Sequence, residues 1–303
     1  MDKLSKCIWL ATIILKSGNQ GVTLREINQQ WQYAFDADPI PRKTFDNYKH
    51  YIEELFDINI DCIKGRNAYV VNDADNLYSN ELKMWLLNSF SMSTLIASDI
   101  NLRKCIQFEK VPSGIEFLEP LVRAIKDNKC IDLCYQTFYW EEPCWQIVQP
   151  YALKLFKQRW YLVGCNESNQ IRLFSLDRIK NVAITDNTFK LPADFTLENY
   201  YANHFGIVHH DGVVEILRLK VESEQAKYLK RLPWHESQRV VEEGAGFLVF
   251  EWNLHVTFDL RQQILSLGRN VEVLEPLWFR EEVKNELQAT LQHYITKKNE
   301  LPH

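Results

Sequence analysis

Seven side chains between positions 151 and 178 have the types needed to hold an anion that carries a ring: Tyr151, Lys154, Arg159, Tyr161, Arg172, Phe174 and Arg178. Guanidinium groups grip phosphate oxygens with two parallel hydrogen bonds, and aromatic faces stack on nucleobases. The local charge favours that chemistry. Residues 146–192 hold seven basic side chains against three acidic ones, in a chain whose formal net charge is −5. The stretch FKQRWYLVG, 156–164, reads as a strand. Side chains alternate along a strand, so Arg159 and Tyr161 share one face while Trp160 and Leu162 share the other, where they read as core. The same alternation puts Arg172 and Phe174 together. A structural role competes at two of these positions. Arg178 can pair with Asp177 or a carbonyl at the strand end, and Tyr161 can sit in a core with its hydroxyl capped.

A second set lies near the N-terminus. A helix starting after Pro41 has Phe45, Tyr48, Ile52 and Leu55 on its apolar stripe, which leaves Arg42, Lys43, Thr44, Asn47 and His50 on the other side. Arginine and lysine grip phosphates or guanine edges, and asparagine reads adenine. Lys64 and Arg66 fall at the tip of the following hairpin, within reach of an adjacent backbone. Residues 41–66 carry five basic and five acidic side chains, which a solvated helix face would also show. The arrangement favours DNA: the cations sit at the helix start and the hairpin tip, and most acids at the helix end. Phosphate contacts supply most of the affinity, so one such domain binds weakly and a dimer on a two-part operator is expected.

Other chemistries find less support. The chain has no P-loop, G-x-S-x-G, H-E-x-x-H or G-x-G-x-x-G pattern, and its ten glycines do not cluster. No catalytic residue is assigned, and the expectation is a non-enzyme without cofactor; a nuclease or nucleotide hydrolase is the enzymatic rival. The seven cysteines form no C-x-x-C pair and lie near no histidine at zinc spacing. Reduced thiols in a cytoplasmic protein are expected. His209-His210 and His235 read as solvated rather than metal-binding. CIWLATIIL, 7–15, is too short to span a bilayer and lacks a signal-peptide cleavage pattern after it. It reads as part of an amphipathic helix, with no membrane partner.

These residues need elements to position them. At 303 residues, with 46% hydrophobic and 25% charged side chains, the chain is an ordinary folded protein of two or three domains. Helical periodicity covers 3–16, then GNQG stops it. Thr23 with Glu26 spells a capping box for a second helix, and Pro41 suits the first turn of a third. INIDCIKGRNAYVV, 58–71, is a hairpin around KGRN. This order of elements resembles a winged helix-turn-helix domain. Helices over 81–107 and 115–128, separated by VPSG, form a connector. Five short strands follow from Cys130, and a small barrel would accommodate them. After GIVHHDG, 206–212, strands at 213–221, 246–256 and 271–276 alternate with helices, the last over 279–296.

Residues 149–192 resemble the WYL domain of bacterial transcription regulators. The resemblance is carried by Pro150-Tyr151, the run Arg159-Trp160-Tyr161-Leu162-Val163-Gly164, Ile171-Arg172-Leu173-Phe174, Leu176-Asp177-Arg178-Ile179 and the Phe189…Pro192 ending. It implies an Sm-like five-stranded β-barrel that senses a nucleic-acid or nucleotide-like effector. The stretches 232–240 and 264–276 resemble the C-terminal extension found after that domain, which implies dimer contact and signal relay. Gln149 departs from the histidine often found at that position and leaves effector identity open. The expected protein is therefore a multidomain α+β homodimer. A winged helix-turn-helix occupies 1–72, a helical connector 73–128, the WYL barrel 129–192 and a small ferredoxin-like α/β domain 213–300. The alternative is a single-stranded RNA- or DNA-binding protein that uses the barrel directly.

Overall fold

The computed structural model describes residues 3–72, 83–89, 92, 102–107 and 109–296. It is a multidomain α+β chain with several antiparallel sheets, divided into two units, Met1–Glu109 and Lys110–His303.

In the first unit, α1 (Lys3–Lys16) buries Cys7, Ile8, Leu10, Ala11, Ile14 and Leu15. They pack with Ile27 and Trp31 of α2 (Leu24–Phe35) and with Phe45, Ile52 and Phe56 of α3 (Arg42–Phe56). The capping box forms: Thr23 Oγ1 accepts from the Glu26 amide at 3.3 Å, and the Glu26 carboxylate accepts from the Thr23 amide at 2.8 Å. Pro41 stands at the N-cap of α3, one position ahead of the helix, with its φ of −60° suited to that entry. The strands β1 (Val22–Thr23), β2 (Asn59–Ile63) and β3 (Ala68–Asn72) make an antiparallel sheet in the order β1-β3-β2. Residues 64–67 form the β2–β3 turn, with Asn67 at φ +50°. Of the helix expected over 81–107, residues 83–89 and Leu102–Cys105 are helical. Much of the remainder, and residues 73–82 of the connector, lie outside the described residues.

The second unit holds two sheets. The first contains β4 (Lys129–Tyr135), β5 (Cys144–Phe156), β6 (Arg159–Asn166), β7 (Ile171–Ser175) and β8 (Ile179–Thr188), in the order β7-β6-β5-β4-β8. The expected barrel does not close, because β7 and β8 are not hydrogen-bonded neighbours. The sheet is nevertheless curled. Its two edges would stand about 19 Å apart if flat, at about 4.8 Å per strand. Yet Ser175 and Ile179 are joined through a single 3₁₀ turn, Leu176–Arg178, which advances only about 2 Å per residue. The edges must therefore converge at that corner. Two ties hold it: the Ser175 amide donates to the Tyr135 hydroxyl at 3.2 Å, and the Gln136 amide donates to the Arg178 carbonyl at 3.3 Å.

The helix expected in the connector over 115–128 belongs instead with this sheet. Leu121 and Ala124 of α4 (Leu118–Lys126) pack among Ile131, Leu133, Val148, Leu162 and Phe174. Gly114 makes the approach possible, since a Cβ there would stand 2.2 Å from the Leu176 carbonyl carbon.

A segment over 189–212 with one short helix, α5 (Leu197–Tyr200), leads to the second sheet. There β9 (Glu215–Glu222), α6 (Ser223–Arg231), β10 (Arg239–Gly244), β11 (Phe247–Leu254), α7 (Phe258–Leu265) and β12 (Val271–Glu275) follow in turn, then α8 (Leu277–Thr296). The order β10-β11-β9-β12, antiparallel throughout, is that of a split βαβ, ferredoxin-like unit. Phe250, Trp252, Leu260, Ile264 and Phe279 fill its core. The edge strand β10 was not legible in sequence because its side chains are almost all exposed and lack an apolar face. No helix among the described residues is long and apolar enough to cross a membrane. The seven cysteines are free thiols, four of them buried.

Candidate functional site

On α3, Arg42, Lys43, Asn47 and His50 are exposed and Thr44 is half-buried, as the helical spacing requires. Arg42 pairs with Asp46 at 3.2 Å, and its guanidinium lies 5.5 Å from the Tyr69 ring. His50 is engaged with Glu54 at 3.3 Å. Acids at the far end of α3 are partly occupied: Glu53 pairs with Lys49 at 3.1 Å and accepts from the Ile60 amide at 2.9 Å. Lys64 and Arg66 are exposed at the hairpin tip.

The seven side chains of the curled sheet do not converge into one pocket. Phe174 is a core residue, set edge-on to Tyr135 at 5.3 Å, because the curl turns that end of β7 inward. Tyr161 is buried, and burial holds its hydroxyl protonated beyond the ordinary range. Arg159 is closed off by Asp177: Nη2 donates to both carboxylate oxygens, at 2.8 and 2.7 Å, and to Ser175 Oγ at 3.1 Å. Burial alone would raise the Asp177 pKa, but hydrogen bonds from Ser175 and Arg159 outweigh it and hold the carboxyl below its ordinary value. This pair replaces the Arg178–Asp177 alternative. The Arg178 guanidinium stacks instead at 3.7 Å over Phe138, an exposed ring on the β4–β5 loop.

The remaining three face the 189–212 segment. Tyr151 is buried against Phe189 and Phe195, with ring centroids at 5.6 and 5.1 Å. Burial and the Cys165 thiol push its pKa up to about 12. Lys154 lies 3.5 Å from the centre of the Tyr201 ring, and burial pulls its ammonium down to about 8 against the attraction of Asp259. Arg172 is exposed, donates to Gln170, and lines a cleft of about 600 Å³ with Tyr200, Tyr201, His209 and Asp211. A second cleft of about 560 Å³ adjoins it, lined by Asp194, Asn199, Asn203, His204 and His255, and the two share Tyr200, His209, Asp211 and Ile171.

Sequence reasoning missed the rings along these clefts. Tyr200 stacks on His209 at 3.8 Å and 9°, His209 on His204 at 4.5 Å and 19°, and His204 on His255 at 4.4 Å and 29°. The solvated reading of GIVHHDG holds for His210, which is exposed, but not for His209. His204 Nε2 lies 3.0 Å from the His210 amide and 3.1 Å from the His210 carbonyl, accepting from the one or donating to the other according to tautomer, and the second nitrogen of its ring is Nδ1. That atom and His255 Nδ1 are buried with no hydrogen-bond partner among the described residues. Burial pushes the His204 pKa down to about 4 and lowers that of His209, so these two imidazoles are neutral at pH 7. No group of three or more His, Cys, Asp or Glu side chains among the described residues is arranged to hold a metal ion. His235 instead bonds Ser237 and the Ala202 carbonyl, each at 2.8 Å.

A family model described as the WYL domain matches residues 116–184, and one described as the WCX domain matches 214–291. The first begins near the start of α4, in keeping with the packing of that helix on the sheet. Among solved structures, the proteasome accessory factor B/C (PafBC) of Arthrobacter aurescens is 17% identical with a TM-score of 0.41. The match covers 99% of this chain and 48% of that one, so the chain spans about half the length of that structure. A structure described as a CRISPR Cas-related protein is 13% identical with a TM-score of 0.38, covering 89% of this chain and 78% of that one. Comparison with curated proteins finds no match.

Proposed function

The chain carries a WYL domain followed by a WCX domain, and from that premise we propose that it is a cytoplasmic bacterial transcription regulator that binds an operator and senses an anionic, nucleotide-like effector. The first unit acts as a winged helix-turn-helix with α3 as its reading helix. The observation that carries this reading is the exposed, cationic start of α3, where Arg42 and Lys43 precede Asn47 and Asp46, paired with Arg42, is the one acid in that stretch. Such a face grips phosphates and presents an amide to a base edge. A single unit of this size makes few phosphate contacts, which favours a homodimer on paired half-sites.

The second unit is the sensor and is not an enzyme. Its effector enters the cleft beside Arg172 and alters operator affinity only as far as it prefers one state of the protein to the other. Mobility shift on DNA from the protein's own upstream region, repeated over a salt series, tests the reading. Arg42→Ala with Lys43→Ala should weaken binding and reduce the slope of log affinity against log salt by about 2. An unchanged affinity and slope would remove α3 from the interface.

A further inference from the structure

The ring column beside Arg172 is more than linker packing: the geometry points to a site for a mononucleotide-sized ligand, with one planar heteroaromatic ring stacked on Tyr200 and one phosphate at Arg172. The proposal rests on the sensing reading and narrows its effector from nucleic acids at large to a single phosphorylated ring.

Three observations carry it. Each lobe of the cleft, at about 560 and about 600 Å³, falls within the range of roughly 300–1,000 Å³ typical of small-molecule sites. The Tyr200 and His209 rings line both lobes and are stacked at 3.8 Å, and because His204 covers the far face of His209, a third ring would extend the stack on the other face of Tyr200.

The charge lining is the third. Arg172 is the one lysine or arginine among the described residues lining either lobe, and the acids Asp194 and Asp211 line the cleft with it. A strand with a phosphate at every step would bring negative charge against those acids, whereas a ligand with one phosphate can place it at Arg172 alone. The carboxylates then face the ring, where they can accept from an exocyclic amine, and the Asn199 and Asn203 amides can meet ring nitrogens or carbonyls. Arg172 has a neutral neighbour in Gln170 rather than an acid, so its guanidinium keeps donors for an anion. Arg159, which the WYL-like sequence run makes the obvious candidate, is committed to Asp177.

Titration calorimetry on the full chain tests this with adenosine, guanosine, cytidine and uridine 5′-monophosphates, the parent nucleosides, inorganic phosphate and a single-stranded dodecamer. At least one monophosphate should bind saturably, and more tightly than its nucleoside or phosphate alone. Arg172→Gln and Tyr200→Leu should each weaken it by about tenfold or more, as loss of a charge-assisted contact or a stacking ring does. Tyr200→Phe keeps the ring and should bind like the unaltered chain, which separates stacking from a folding defect. Failure of all four monophosphates to bind, or binding indifferent to both Arg172→Gln and Tyr200→Leu, would overturn the proposal. An operator shift that responds to the dodecamer and to no monophosphate would overturn it while leaving the sensing reading intact. Monophosphate binding with no operator shift would support the site and remove the regulator reading.

Discussion

Replacing His204 by phenylalanine should flatten the acid side of the protein's stability profile. His204 is 8% exposed and stacked between His209 and His255, and burial, ahead of any other influence, brings its pKa from 6.5 to about 4. Above pH 6.5 the imidazole is neutral in both folded and unfolded chains and contributes no pH dependence. Below pH 6.5 the unfolded chain takes up a proton that the folded chain refuses, so stability falls with pH until about pH 4, where the folded form also protonates. Each pH unit in that window corresponds to about 1.4 kcal/mol, and the loss between pH 7 and pH 5 is about 2 kcal/mol. Phenylalanine preserves a ring in the stack and cannot titrate. Urea unfolding followed by tryptophan fluorescence, at pH 7 and pH 5, on both proteins, gives the comparison. Subtracting one pH difference from the other cancels His209, His210, His255 and the carboxylates, which both proteins share. Equal losses in the two proteins would mean that His204 titrates normally and the packing argument fails.

Two further changes follow from close contacts. Asp177→Asn leaves the half-buried Arg159 guanidinium without its counter-charge, and should destabilise the chain by about 2 kcal/mol in urea unfolding. Truncating Arg159 in the same chain should cost little more, since the two act as one unit. Gly114→Ala meets both a φ of +62° and the Leu176 backbone, and should cost more than about 1 kcal/mol, read as a lowered melting temperature.

Much of the fold was legible because local chemistry and tertiary need agree. The Thr23–Glu26 box, the KGRN turn and the β-rich runs of β5 and β6 each put a local propensity where the pairing needs it, although β6 is buried on both faces. Closure of the barrel was not legible, since five strands can close or merely curl, and only the pairing of the edges decides. Alternation along β7 assigns Arg172 and Phe174 to one side, yet the first stands in solvent and the second in the core. The Arg159–Asp177 pair joins residues 18 apart, one on β6 and one in the 3₁₀ turn after β7, which no period within a strand announces. The ring column draws Tyr200, His204, His209 and His255 from two loops and a helix, and adjacent histidines in a glycine-rich loop look alike in sequence whether stacked or solvated.

Asp259, in the first turn of α7, accepts from the Ile207 amide at 2.7 Å and the Val208 amide at 2.8 Å. Gly206, at φ +88°, clears the space, since a Cβ there would lie 2.5 Å from the same carboxylate. One acid thus staples the stretch between His204 and His209 to the opening turn of a helix in the WCX domain. A guest that displaced those rings would load these two bonds, both to Asp259 Oδ2, and so pull on the opening turn of that helix, beside Lys154.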